Sequence, residues 1–468
     1  MSNRSSIIIL FFFILFYIIY GMYVSVPSYI DLRIVGGVGF VQFLFSIYSS
    51  LKNGQKLISP YIIFLIVLYV FHVGQSLIYP FDIVSKNDLV GFMGITIADV
   101  FSAQLVSFSF IAFFQIGALL YKPKKCVNAY DDAVTAQQEK RLTRIGWFIA
   151  IISVYPYYQE LISNAILSLT RGYGALYEGE VKIGLANLQT VIADYFIPSI
   201  ICLYIGYRRK NAIRIILTSI LLFNSLIILI TGGRSEAVII LGLLLVLRNY
   251  LVKPFTRKNL VAIGGCAVIV LMLLSSIAQM RSNTNRSLKD TFKISSNKED
   301  SNGVVSAIGE MGGSMFCQIW TKEIISQTGD YRYGSSYAYA FTSIIPNLGF
   351  WSLHPAKVHA DLGSWLTSQK GLTFGTGYSM VAEAYINFGY FGFLIMMLWG
   401  YLAARIFGYI GIALDKRDIA YMAFVLVFFW FALKIPRNSF VGIVRAIFYF
   451  ALPIYWYTRG YIFKPKHK

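Results

Sequence analysis

The sequence predicts an all-α, polytopic integral membrane protein, on three observations: its composition, the length of its apolar runs and the sidedness of its cations. Of 468 residues 57% are hydrophobic and only 13% charged, with a mean hydropathy of +0.62, so a soluble fold would have no means of covering its surface. The apolar residues gather into about twelve runs of roughly 16 to 25 residues, near the length a helix needs to cross the hydrocarbon. Backbone groups in lipid have to pair within their own segment, which makes each run a helix.

In chain order the spans are expected at 7–24, 34–50, 57–80, 95–121, 145–168, 187–207, 213–230, 237–252, 260–279, 389–411, 419–433 and 440–457. The first ends in Tyr20-Gly-Met-Tyr-Val24, with no small-x-small cleavage site, and is longer than the apolar core of a signal peptide. It reads as a retained anchor. Cations then set the orientation. Most lie in both tails and in the loops at 52–56, 122–144, 208–214, 248–258 and 416–417, whereas the alternate short loops hold only Arg33, Lys86, Arg171, Lys182, Arg234, Lys434 and Arg437. The positive-inside rule places both termini in the cytoplasm. Topology and membrane lipids thus account for a net charge of +19, and no nucleic-acid partner is expected. Four cysteines give no framework: Cys202 and Cys266 fall in spans, Cys126 in a cytoplasmic loop and Cys317 alone outside.

The chain therefore divides into 1–279 with spans one to nine, an outer segment at 280–389, and 390–468 with the last three spans and a basic tail. A connection of about 110 residues is usually functional. Within it Arg281 to Ser301 reads as polar loop, and the spacing of Val304, Ile308, Met311, Met315 and Ile319 predicts a helix. Shorter helices are expected from Tyr331 to Leu348, ended by Pro346, from Asp361 to Gln369, and from Ser379 to Asn387, which leads through Gly389 into the tenth span.

No phosphate-binding loop, nucleophile elbow or His-Glu-x-x-His occurs, so chemistry has to come from charges at the outer face. The sharpest is Arg234, in the turn Thr231-Gly-Gly-Arg-Ser-Glu-Ala237 between two spans. A guanidinium matches phosphate oxygens and stays charged, and Glu236 would orient or neutralise it. The plain alternative is an arginine snorkelling to headgroups. Arg281 and Arg286, leaving the ninth span, and Arg171, opening Arg-Gly-Tyr-Gly-Ala-Leu-Tyr-Glu-Gly-Glu180, are further candidates for binding a diphosphate. Arg437 occupies another short outer turn. His359 is a candidate base or donor to a hydroxyl. The pattern His354, His359, Asp361 has a spacing of five, off one helix face, and no metal or cofactor is expected. Glu383 lies in Gly375-Thr-Gly-Tyr-Ser-Met-Val-Ala-Glu-Ala-Tyr-Ile-Asn-Phe-Gly389, where Ser379, Glu383, Ile386 and Asn387 share a face that presents an acid or holds structure. Tyr378 is one of many outer aromatics suited to sugar faces or to the membrane interface. Asp99, Glu160 and Asp194 fall in or near spans, with Arg445 as a possible counter-ion.

These features together resemble the oligosaccharide repeat unit polymerases of the O-antigen (Wzy) type, related in fold to O-antigen ligases. The likeness rests on the layout of spans, the Thr231-Gly-Gly-Arg234 hairpin, the late outer segment, and the stretches Gly375-Thr-Gly-Tyr-Ser379 and Glu383-Ala-Tyr-Ile-Asn-Phe-Gly389. It implies a GT-C-like architecture in the bacterial inner membrane and a metal-independent glycosyl transfer at the outer, periplasmic face. Glycan on undecaprenyl diphosphate would pass to a hydroxyl of a newly delivered lipid-linked repeat unit. The resemblance also implies a chain-length regulator, a polysaccharide co-polymerase, as partner. Arg234, Arg281 and Arg171 fit the diphosphate; Glu383 or His359 fits the acceptor hydroxyl. A ligase shares this architecture, a flippase or transporter the span number, and an enzyme using polyprenyl phosphate sugars would need an acid such as Asp31 in the first outer loop.

Overall fold

Helices that face lipid carry apolar side chains outward and use polar ones as contacts between helices, the reverse of a soluble protein. The computed structural model describes residues 3–82, 89–90, 92–122, 129–176, 185–256, 258–259, 262, 265, 312–347, 350–372 and 375–460, and among these no strand occurs. The helices are α1 (Asn3–Tyr23), α2 (Tyr29–Lys52), α3 (Pro60–Ile78), α4 (Ile97–Leu120), α5 (Asp132–Arg171) and α6 (Leu185–Ala193). There follow α7 (Phe196–Gly206), α8 (Asn211–Thr231), α9 (Arg234–Leu251), α10 (Ser314–Thr328), α11 (Ser335–Ala340) and α12 (Pro355–His359). The chain closes with α13 (Leu362–Gln369), α14 (Met380–Phe388), α15 (Gly392–Asp415), α16 (Ile419–Ala432), α17 (Val441–Arg445) and α18 (Leu452–Arg459).

Among the described residues nine helical stretches are long and apolar enough to cross a membrane, and the chain is a multi-pass membrane protein. Twelve were expected. The stretch 237–252 is helical as α9, but Arg234, Glu236 and Arg248 make that helix too charged to join the nine. The stretch 145–168 lies inside α5, where Tyr155-Pro-Tyr-Tyr-Gln-Glu160 dilutes the apolar run. The expected ninth span, 260–279, lies almost wholly outside the described residues, as do Arg281, Arg286 and the first half of the helix predicted from Val304, whose Met315 and Ile319 fall in α10.

By contacts the chain forms two interleaved units. The first comprises residues 1–124, 305–409 and 431–445, and the second 125–304, 410–430 and 446–468. In the first, α1 exposes Ile8, Phe12 and Ile19, while α2, α3 and α4 are joined to it by a buried polar ladder. Tyr17 Oη donates to Gln42 Oε1 (2.8 Å), and Gln42 Nε2 donates to Tyr69 Oη (3.0 Å) and to the Phe108 carbonyl (3.0 Å). One layer along, Tyr61 Oη donates to Gln115 Oε1 (2.7 Å), whose amide nitrogen reaches Ser49 Oγ (3.0 Å) and Ser50 Oγ (2.8 Å). Such bonds substitute for the hydrophobic drive that lipid removes. Small residues do the rest: a Cβ on Gly117 would strike the Met397 carbonyl and one on Gly400 the Phe114 carbonyl, so α4 and α15 meet backbone to backbone.

Two carboxylates read from the sequence otherwise, Asp99 as lying in or near a span and Asp31 as an acid of the first outer loop, belong to helix N-terminal capping boxes. Asp99 Oδ2 accepts from the backbone N (2.9 Å) and hydroxyl (2.6 Å) of Thr96, the N-cap of α4. Asp31 does the same for Ser28 at the start of α2 and also accepts from Tyr20 Oη (2.6 Å). Each completes a capping box, which satisfies amides that the first turn would otherwise orphan.

In the second unit the 40-residue α5 packs against α6, α7, α8 and α18. Its other anchor is a charged node: Arg459 pairs with Asp418 and donates to Tyr130 Oη (2.5 Å), while Arg417 pairs with Asp132.

Replacing Gly400 with Ala inserts a methyl group where a carbonyl already sits. The detergent-solubilised protein should lose about 1–3 kcal/mol of stability, read as a lower melting temperature, whereas Gly411→Ala, beside open space, should not.

Candidate functional site

The glycine-rich stretch before the tenth span builds a hydrogen-bonded node in the first unit. Ser379 caps α14 through its side chain, and the face it shares with Glu383 and Asn387 turns inward, where all three are buried. Glu383 Oε1 accepts from Ser336 Oγ (2.9 Å) and Oε2 from the Phe440 amide (2.6 Å). Asn387 donates to Ser336 Oγ (2.8 Å) and accepts from the Gly334 amide (2.9 Å). A carboxylate and a carboxamide thus tie three separate stretches, 334–336, 383–387 and 440, into one piece. Beside Glu383 the remaining void is about 10 Å³, lined by Tyr337, Met380, Trp399, Ile435, Phe440 and Ile443, with no room for a sugar ring.

Arg332, which the sequence reading passed over, extends the node. Its backbone donates to Ile386 O (2.9 Å), its Nη1 to the His359 carbonyl (3.0 Å), and its guanidinium lies 5.3 Å from the Trp365 ring centre. Burial works against its charge, and the nearby Tyr378 and Glu383 offset part of that. Its signal in the sequence was a cation held between Tyr331 and Tyr333 and followed by Gly334, whose φ of 85° only glycine adopts readily. His359 itself is exposed, its ring stacked on Tyr339 with centroids 4.2 Å apart. His354 caps α12: Nδ1 accepts from the Ala356 amide (3.1 Å) and Nε2 faces the Ile345 carbonyl (2.9 Å), so both ring nitrogens are occupied.

Next to this node opens a polar cleft of about 430 Å³, lined from α13 by Asp361, Gly363, Ser364, Thr367 and Ser368, from the loop by Gly375 to Tyr378, and by Asn438 and Ser439. Two glycines let its walls close. A Cβ on Gly363 would come within 2.9 Å of the Gly377 carbonyl, and one on Gly377 within 2.9 Å of the Arg437 carbonyl. The Tyr378 amide donates to that same Arg437 carbonyl (3.0 Å), while its hydroxyl is engaged with Thr321 Oγ1 (3.0 Å). Arg437 is exposed, with Nε 3.6 Å from where a Gly377 Cβ would stand. Burial alone would raise the Asp361 carboxyl, but the Lys357 ammonium and the Ser364 hydroxyl and amide bind its ionised form and hold it below the usual carboxylate range. The stability this lends is complete above about pH 4 and is lost as pH falls through the depressed value.

The remaining described candidates belong to the second unit. Helix α8 ends at Thr231 with Gly232 in the left-handed conformation (φ 90°), and Gly233 precedes Arg234, the first residue of α9. A cation in a helix's first turn opposes the macrodipole, whereas Glu236 suits it; an anion would suit it better still. Ser168 Oγ donates to the Thr231 carbonyl (2.6 Å), so the last turn of α5, which ends in exposed Arg171, is bonded to the start of the Arg234 turn. Tyr157 of α5 lies within electrostatic reach of Glu236 and Asp194. Helices α5 and α6 also frame a cleft of about 450 Å³ lined by Ile152, Tyr155, Pro156, Leu188 and Ile192, and crossed by a Gln189–Gln159 hydrogen bond of 2.8 Å.

The structure therefore gathers Glu383, His359, Tyr378 and Arg437 in one unit, and Arg171, Arg234 and Glu236 in the other. A family model described as O-antigen polysaccharide polymerase Wzy matches residues 5–464. No curated protein and no solved structure matches the chain.

Glutamine at position 383 has to keep its oxygen on the Phe440 amide and turn its NH₂ to Ser336, whose hydroxyl then accepts from both that NH₂ and Asn387 and loses the acceptor for its own proton. Glu383→Gln should cost about 1–3 kcal/mol, seen as a lower melting temperature and lower abundance in the membrane. A variant of unchanged stability that stops turnover would instead make Glu383 an acid or base.

Proposed function

The chain belongs to the O-antigen polysaccharide polymerase (Wzy) family, and from that premise we propose that it joins oligosaccharide repeat units carried on undecaprenyl diphosphate, at the outer face of the bacterial inner membrane. The family match over nearly the whole chain carries this reading. In it α5 and α9 are two further spans, the arrangement is GT-C-like, and a chain-length regulator sets polymer length.

The transfer forms a bond between an acceptor hydroxyl oxygen and the anomeric carbon of the growing glycan, and breaks the bond from that carbon to the diphosphate. Two demands follow: cations for the departing diphosphate, and a group that takes the hydroxyl proton. Arg234 and Arg171 meet the first, supported by the hydrogen bond that joins their two turns and by the amides opening α9. Arg281 and Arg286 add charge, and Glu236 steers it. The cleft between α5 and α6, in the same unit, has an apolar flank of Ile152, Leu188 and Ile192 on which a polyprenyl chain would lie, beside its two glutamines. For the second, His359 is the accessible candidate, since Glu383 is enclosed and already accepts two hydrogen bonds. Arg332 would orient His359 through its carbonyl. The reaction so written uses no metal.

Deleting the gene should remove the long ladder of surface glycans while leaving a single-repeat band, and complementation should restore it. Loss of every band would point to a flippase, and polymer stranded on its lipid carrier to a ligase. In the complemented strain Arg234→Ala should cut chain growth by at least a hundredfold at normal protein abundance, with Arg234→Lys retaining part of it, since a point charge replaces a fork.

A further inference from the structure

The polar cleft of the first unit has no role in the scheme above. Its walls differ from those of an ordinary small-molecule pocket, which are mostly apolar with a few polar groups. Here Ser364, Thr367, Ser368, Ser439, Asn438 and Asp361 line one space of about 430 Å³, and the one aromatic residue of the lining, Tyr378, is itself buried.

That donor set selects a ligand class. Asp361, the one charged residue of the lining, is paired with Lys357, so the two charges cancel and the lining carries no net charge to draw in phosphate or another ion. A carboxylate offers about four lone-pair positions. Among the described residues Oδ1 accepts only the Ser364 amide (3.2 Å), whereas Oδ2 takes both Ser364 Oγ (2.8 Å) and Lys357, which leaves Oδ1 room for one donor more. Thr376, by contrast, is used up inside the wall, on Thr367 Oγ1 (3.3 Å) and the Gly377 carbonyl (2.9 Å). Ser364 Oγ is spent between Asp361 and Lys357, Thr367 Oγ1 on Thr376, and the Asn438 Nδ2 donates to the Lys434 carbonyl (3.1 Å), so the lining offers the Ser368 and Ser439 hydroxyls, the Asn438 Oδ1 and one carboxylate position, a set complementary to a neutral polyol. The wall is also held in shape before any ligand arrives, because Gly363, Gly377 and the Arg437 carbonyl pack in direct contact and Cys317 Sγ rests on the Thr376 carbonyl (3.7 Å). A preformed wall lowers the ordering cost of binding.

We infer that this cleft is a glycan subsite: it holds an uncharged sugar of the repeat unit by its hydroxyls, with Asp361, Ser368 and Asn438 as contacts. The inference rests on the polymerase reading for the source of the sugar, and on the cleft alone for its place. The lining of the subsite includes none of the arginines proposed for the diphosphate, so it recognises oligosaccharide that carries no lipid.

The test uses full-length protein in nanodiscs and repeat-unit oligosaccharide released from its carrier by mild acid, with binding followed by saturation-transfer NMR. Ser368→Trp and Asn438→Trp plug the cleft from two different elements at exposed positions, and Ser368→Gln repeats the plug with a smaller side chain. Ser352→Trp, exposed and away from the cleft, is the control. Binding at least tenfold weaker in the plugged variants, with the control unchanged, is the expected result. Wild-type affinity in the plugged proteins, or no signal from the unaltered protein, overturns the subsite. Complementation of the deletion strain separates the two ideas. If the unaltered gene restores the ladder while plugged proteins still bind, only the subsite falls; if it restores nothing while plugging abolishes binding, the subsite stands and polymerisation falls.

Discussion

A single buried carboxylate organises the first unit. Glu383 is 2% exposed, and its two oxygens receive a serine hydroxyl from one stretch and a backbone amide from another. Burying such a group is costly unless every lone pair that faces inward finds a donor, and once partners are found the cost of losing one makes the arrangement rigid. The polar cleft inherits that rigidity. Its loop wall runs directly into α14, and its Asn438 and Ser439 lie immediately before Phe440, whose amide the carboxylate holds. Arg332 adds the carbonyl of His359 to the same assembly. The acid is thus a keystone for groups around it through hydrogen bonds, whereas at the Arg234 turn the residue of interest is a cation at the start of a helix, a terminus that favours anions.

What could be read from the sequence was mostly what is local. The spacing of Ser379, Glu383 and Asn387 correctly placed them on one helix face, and Asp361 to Gln369 is a helix with Asp361 as its cap. The face's direction was not legible, because its partners lie 47 residues before and 57 residues after Glu383. The helix expected from Tyr331 is shorter, starting at Ser335, since Arg332 is drawn off to the Ile386 carbonyl and Gly334 to Asn387. Asp31 and Asp99 each sit three residues after a Ser or Thr, a capping pattern present in the string, although Asp31 reads there as an acid of the first outer loop and Asp99 as lying in or near a span. The cleft was invisible because its walls come from α13, a loop and the 438–439 turn, which no periodicity connects.

The interleaving of the two units has a bearing on how the protein is made. The first unit takes its pieces from 1–124, 305–409 and 431–445, so its early helices enter the bilayer long before the segments that complete it are synthesised. At about 5–20 residues per second, the ribosome needs roughly ten seconds or more to travel from the first piece to the second. During that wait α1 to α4 hold together only through contacts among themselves. The glutamine and tyrosine ladder supplies these, each bond closing within the first 124 residues. Gly117, by contrast, waits with a bare strip of backbone for a helix that does not yet exist. The N-terminal bundle is therefore cross-linked by its own polar groups before residues 305–409, which complete the first unit, are synthesised.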